Sequence, residues 1–190
     1  MRTRLGIFCL LLLIGAAVAY AEQRPIDTGK SKLTVRVYKA GVFGGLGHDH
    51  LIAAPIKSGG VDTSSHTVEL RLTAASLKVE DPGASGKDRE EIQKTMVGPE
   101  VLDIEHYPDI VFRSTSAESV GDGVWRVRGD LNIHGQSGPV ELEVREDGGH
   151  YRGSALLKQS EFGIKPIKIA GGTIRVKDEI RIEFDIQLAR

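Results

Sequence analysis

Apolar and polar residues alternate along most of the chain. Leu33, Val35 and Val37 are separated by Thr34 and Arg36, and Val68, Leu70 and Leu72 by Glu69 and Arg71. Val140, Leu142 and Val144 are separated by Glu141 and Glu143. Two longer runs keep the same phase. Trp125, Val127, Gly129, Leu131 and Ile133 alternate with Arg126, Arg128, Asp130 and Asn132. Ile180, Ile182, Phe184, Ile186 and Leu188 alternate with Arg181, Glu183, Asp185 and Gln187. Side chains on a strand point to opposite faces in turn, so a period of two predicts strands with one apolar and one polar face. Less regular strands at 51–57, 110–114 and 151–158 bring the count to about eight. Gly135-Gln136-Ser137-Gly138 and Asp147-Gly148-Gly149 mark turns, the second a hairpin signal.

One helix interrupts the strands. Ser85 is placed to cap it, with Asp88 three residues on, and 87–97 carry a Glu90–Lys94 pair and an Ile92–Met96 pair at i,i+4. Gly98-Pro99 stops it. The helix is short and polar, so it is expected to lie over the sheet or its mouth. About eight antiparallel strands with one apolar face each must hide those faces together, in a sandwich or a closed barrel. The count favours an all-β barrel, whose interior is filled by side chains or holds one small ligand.

Composition narrows the function. Lys and Arg number 25 against 26 Asp and Glu, with no basic block, which argues against nucleic-acid binding. One cysteine excludes an intramolecular disulfide and a cysteine metal cage. Arg2 and Arg4, the apolar run 5–18 and Ala19-Tyr20-Ala21 form a signal-peptide pattern. Cleavage after Ala21 is expected, leaving a single domain at 22–190 without cysteine, periplasmic or secreted. No later run is long enough to span a membrane as a helix.

No nucleophile elbow, zinc-protease motif, phosphate loop or dinucleotide fingerprint is present, and no catalytic residue or cofactor is assigned. The glycines between Gly41 and Gly47 open no helix and carry no Lys-Ser/Thr, so they make no phosphate cradle. His48-Asp49-His50 is the most pointed cluster. On an extended backbone His48 and His50 share a face, roughly 6–7 Å apart. They could hold a metal with a ligand from elsewhere, such as His106 or His134. The plainer readings are locally bonded rim histidines, or contact with a ligand head group. His134, beside Gly135, reads as a loop histidine, and Asp103, His106 and Asp109 as a turn around Tyr107-Pro108. Phe43, Phe112, Trp125, Val127, Leu131, Phe162 and Phe184 are core in a solid barrel and cavity lining in a hollow one.

Three segments carry a family resemblance. Residues 102–114, from Leu102-Asp103 through Tyr107-Pro108 to Phe112-Arg113-Ser114, resemble the LD-x-x-x-YP-x-I-x-F-x-S stretch of the YceI-like family. Gly129-Asp130-Leu131-Asn132-Ile133-His134-Gly135 is similar to its G-x-L-x-I-HG strand and turn, and Ser160-Glu161-Phe162-Gly163-Ile164 to its x-x-FGI segment. The resemblance implies an exported, lipocalin-like antiparallel barrel that binds a polyisoprenoid lipid in an apolar tunnel, and it does not imply an enzyme. The residues expected to line the tunnel are Phe43, Phe112, Trp125, Val127, Leu131, Phe162 and Phe184, with His48, Asp49 and His50 at the head group. The alternative is a metal-binding protein or metal-dependent enzyme using His48 and His50. A filled barrel acting through its outer surface on a protein partner is the third possibility.

Overall fold

The alternating segments pair edge to edge, antiparallel throughout. The computed structural model describes residues 23–40, 49–169 and 174–189. The strands are β1 (Gln23–Pro25), β2 (Lys32–Ala40), β3 (His50–Ala53), β4 (Ile56–Asp62), β5 (Thr67–Thr73) and β6 (Lys78–Val79). They continue as β7 (Asp109–Gly121), β8 (Val124–Ile133), β9 (Gln136–Asp147), β10 (His150–Lys158), β11 (Lys168–Ile169) and β12 (Ile174–Gln187). One hydrogen-bonded path runs β1-β4-β5-β7-β8-β9-β10-β12-β2-β3-β6, with β11 beside β12. The fold is all-β with one short helix, as expected, but built from more pieces than the eight expected.

Part of the excess comes from Pro55. The expected strand at 51–57 is two strands: β3 pairs with β2, and β4 pairs with β5. Proline has no N–H for a ladder, so the chain turns at Ala54-Pro55 and crosses between distant parts of the sheet. Ala54 N still donates to Leu33 O at 2.9 Å, which holds the crossing against β2.

The sheet curls into a barrel-like shell. β1 pairs with β4 on one side, and on the other Ile26 bridges to Leu188. Asp27 N donates to Gln187 O and Ala189 N to Pro25 O, each at 2.8 Å. The first and last described segments thus meet in a seam. Inside, each apolar row of the sequence faces the core. Outside, cross-strand ion pairs such as Arg36–Glu183, Arg128–Glu141 and Arg152–Asp185 are exposed and contribute little individually.

Three two-residue turns join β7 to β10: Asp122-Gly123, His134-Gly135 and Gly148-Gly149. Both residues of each have positive φ, the hairpin geometry that matches sheet twist. The turn read from sequence at 135–138 is therefore one step late. Ile133 pairs with Gln136, and residues 136–138 already belong to β9.

The helix α1 (Gly86–Val97) follows its capping signals. Ser85 Oγ accepts from Asp88 N at 3.2 Å, and Gly98 N closes onto the Lys94 and Thr95 carbonyls. Gln93 clamps α1 to the sheet: its Oε1 accepts from Val79 N and its Nε2 donates to Leu77 O, both at 2.9 Å. Met96 is the helical residue buried against the core. α1 thereby covers one end of the shell, the helix end. The β4–β5, β7–β8 and β9–β10 turns lie at the other, the hairpin end.

Candidate functional site

The inward rows enclose a cavity of about 420 Å³. Its walls are Val, Leu, Ile, Ala and Phe from nearly every long strand. The rows change character only at the hairpin end. On β5 the row Leu72, Leu70, Val68 runs out to His66. On β8 the row Leu131, Val127 runs out to Trp125. On β9 the row Val140, Leu142, Val144 runs out to Glu146, and on β10 the row Leu157, Ala155, Gly153 runs out to Tyr151. Val61 of β4 is followed in the same phase by Thr63. These last members also face the cavity, so its hairpin end is a polar mouth.

The mouth has two lips. On one, the His66 ring stacks on Trp125, centroids 5.4 Å apart at 27°. The turn beneath is fixed by Asp62, whose Oδ1 accepts from the Ser64 hydroxyl at 2.6 Å and from the Ser64 and Ser65 N–H groups at 2.9 and 3.1 Å. The Ser64 hydroxyl, followed by the Ser65 N–H, holds the Asp62 carboxyl down at about 2. On the other lip Tyr151 Oη donates to Glu146 Oε1 at 3.3 Å, and Glu146 N donates to Gly123 O at 2.7 Å. Burial pushes the Tyr151 phenol up, and Glu146 adds to this by charge and hydrogen bond, while Arg24 acts weakly the other way.

Among the described residues the helix end is lined almost wholly by apolar side chains. Met96, Val101, Leu102, Phe162 and Ile164 form the floor, with Phe162 only 3% exposed. The amide of Gln159, the polar side chain among them, donates to Lys177 O at 2.9 Å. Here the three family-like segments meet. Tyr107 covers Gly135, where a side chain would enter its ring, and meets the His134 ring edge-on at 4.8 Å. His134 Nδ1 lies 3.4 Å from Phe162 O, and Phe162 packs over Gly138. These motifs build the floor of the cavity, which explains their use to the fold without a ligand.

Of the residues singled out in the sequence, Phe112, Trp125, Val127, Leu131, Phe162 and Phe184 line the cavity. Phe43 and His48 lie outside the described residues. Asp49 and His50 are near the helix end and do not line the cavity. Asp49 is exposed, its Oδ1 accepting from Lys39 N at 3.0 Å. His50 Nδ1 lies 2.6 Å from Oδ2 of Asp81, which is fully buried and whose Oδ1 accepts from Leu51 N at 2.6 Å. The other histidines considered for a metal are engaged elsewhere. His106 pairs with Asp103 at 2.9 Å, and His134 contacts Tyr107 and Phe162. Among the described residues no three His, Cys, Asp or Glu side chains are grouped to hold a metal ion.

Sequence reasoning missed Glu146, His66 and Thr63. Their signal was available: each continues an apolar row two residues beyond its last apolar member. A polar residue in the apolar phase is a departure from pattern that marks a lining position at a barrel mouth.

Comparison with known proteins agrees with this architecture. The chain resembles the crystal structure of BcnA from Burkholderia cenocepacia at 20% identity, covering 87% of this chain and 99% of that one with a TM-score of 0.63. A mutant CJ YceI protein crystallised with a monobromobimane guest matches 73% of this chain and 81% of its own at 16% identity, TM-score 0.52. A UPF0312 protein of Pseudomonas putida is 33% identical over 85 residues, 40% of this chain and 44% of its own length. A UPF0312 protein of Vibrio cholerae is 27% identical over 123 residues, 59% of this chain and 64% of its own. The chain therefore spans between two fifths and two thirds of the length of these curated relatives. The YceI-like domain model matches residues 25–188, nearly the whole of the described sheet from β1 through β12, and the chain is a member of the YceI-like family.

Proposed function

We propose that this protein is a non-enzymatic binder of a long apolar molecule, of polyisoprenoid or isoprenoid-quinone type, which it holds inside the shell. The observation that carries the reading is the cavity itself: about 420 Å³, walled by apolar side chains and open at one polar end. Ligand pockets of roughly 300–1,000 Å³ with a few placed polar groups are the usual small-molecule sites. Burial supplies the binding energy. At ~0.8 kcal/mol per methylene a twenty-carbon tail gains roughly 16 kcal/mol gross. Ordering the tail and restricting its tumbling return much of that.

The reading extends to location. Arg2, Arg4, the apolar run and Ala19-Tyr20-Ala21 support export with removal of residues 1–21. Intact mass of exported protein should then match a start at Glu22, and residues 1–21 still attached would refute it. Ligand binding is tested by organic extraction and mass spectrometry of protein from its native host. A polyprenyl species is expected. Ligand-free protein that also takes up no such lipid in vitro would end the carrier reading.

A further inference from the structure

Resting on that reading, we propose that the mouth selects the ligand's head group. It takes a head that is uncharged or cationic and donates a hydrogen bond, such as a hydroxyl or an amine. That head seats on the Glu146 carboxylate, and the tail runs toward α1 and Phe162. A phosphate or carboxylate head is disfavoured.

The first support is the polarity of the cavity along its axis. Thr63, His66, Glu146 and Tyr151 gather at the hairpin end, while among the described residues the floor at Met96, Leu102 and Phe162 carries one polar side chain, that of Gln159. The amide of Gln159 near the floor is committed to Lys177 O. A head group driven to the floor would lose its water without replacement partners, which is costly. A head at the mouth keeps both water and protein partners.

The second support is charge. Glu146 is the one Asp, Glu, Lys or Arg side chain among the described lining residues. An ionised carboxylate only accepts hydrogen bonds, and its two oxygens have room for several. Tyr151 donates to Oε1 at 3.3 Å, and among the described residues no side chain donates to Oε2. An incoming hydroxyl or ammonium completes that set. An anionic head would meet like charge at the Glu146 carboxylate, which is exposed at the rim, so the repulsion should weaken as salt is added. Arg24 reaches Tyr151 by charge from outside the lining, so Glu146 is the charged side chain that faces the cavity itself.

Three ligands with one tail test the charge rule on the full chain: geranylgeraniol, geranylgeranylamine and geranylgeranyl monophosphate, titrated by native mass spectrometry. The alcohol and the amine should bind on the order of tenfold tighter than the phosphate. Glu146→Gln keeps the size of the side chain and removes the charge. It should bring the three within about threefold of one another. A phosphate that binds the parent as tightly as the alcohol, or a ratio unchanged in the variant, overturns the proposal. If none of the three binds the parent, the carrier reading falls with it.

Orientation is read without any variant. Trp125 is the only tryptophan in the chain and stands at the mouth. A doxyl group beside the hydroxyl of stearyl alcohol should quench its fluorescence on binding, and one near the methyl end should leave it largely intact. Stronger quenching by the methyl-end label reverses the orientation and overturns the proposal.

Discussion

Gly153 on β10 lies directly opposite Phe184 on β12, and the Phe184 ring occupies the space that a side chain at 153 would need. A β-carbon there would fall 2.6 Å from the ring and also against Glu143 O. Gly129, which pairs with Ser114, has its β-carbon space taken in the same way by the Phe112 ring, at 2.7 Å. Large rings lie over small neighbours, so the wall is filled at these points while the axis stays open. Gly153→Ala should overpack the wall and cost about 1–3 kcal/mol. Urea denaturation reads this directly, and an unchanged midpoint would mean that β10 faces the other way.

Val127 distinguishes a hollow interior from a solid one. It is buried and lines the cavity between Trp125 and Leu131. Val127→Trp should place an indole in the space of the ligand tail, removing lipid uptake with little loss of melting temperature. Val127→Lys should destabilise strongly, because a buried unpaired charge is costly. Clear destabilisation by Trp, together with a parent that takes up no lipid, would mark the interior as solid.

Asp81 ties the end of β6 to β3. Its carboxylate takes the Leu51 N–H and pairs with His50 while fully buried. Asp81→Ala leaves the Leu51 N–H without its acceptor, a loss of about 1–3 kcal/mol. The head-group ratio measured at the mouth should be unchanged in this variant, since the pair sits near the opposite end. A shift in that ratio would count against the separation of the two ends.

Asp62 should titrate at about 2, held down by the Ser64 hydroxyl and then the Ser65 N–H. A carboxyl whose folded value lies below its unfolded one stabilises the fold above the unfolded value, near 4. That contribution is lost as pH falls from there through about 2. Carbon-detected NMR of the Asp62 carboxyl checks the midpoint, and Ser64→Ala should move it upward. A midpoint at the ordinary carboxylate value in the parent would show that the β4–β5 turn is not held this way.

Alternation made the long strands legible, because burial on one face leaves a period of two wherever a strand is long enough. The capping of α1 by Ser85 and its stop at Gly98 were equally local and equally legible. The break at Pro55 hides in a run whose apolar content looks continuous, and only the missing N–H distinguishes it. At His134-Gly135 the glycines further on drew the turn past its true place. The His50–Asp81 pair joins residues about thirty apart, and a contact of that kind leaves no periodic trace. Glu146 was the readable exception: the same alternation that identified β9 places it inside, provided the row is followed past its last apolar residue.

The seam between Ile26 and Leu188 bears on the order of assembly. The hairpins from β7 to β10 form from neighbours in sequence, with little loop entropy to lose. The seam does not: Ser31 Oγ donates to Gln187 O across 156 residues, and Asp27 reaches the same residue. The last strand must therefore be present before the first can be stapled to it. Until then the inner rows of β5 and β7 to β10 form an open trough rather than a container. A chain that folds as it emerges presents its apolar wall to the surroundings for most of that time, and the wall becomes an interior only when the end of β12 meets the chain at Ile26.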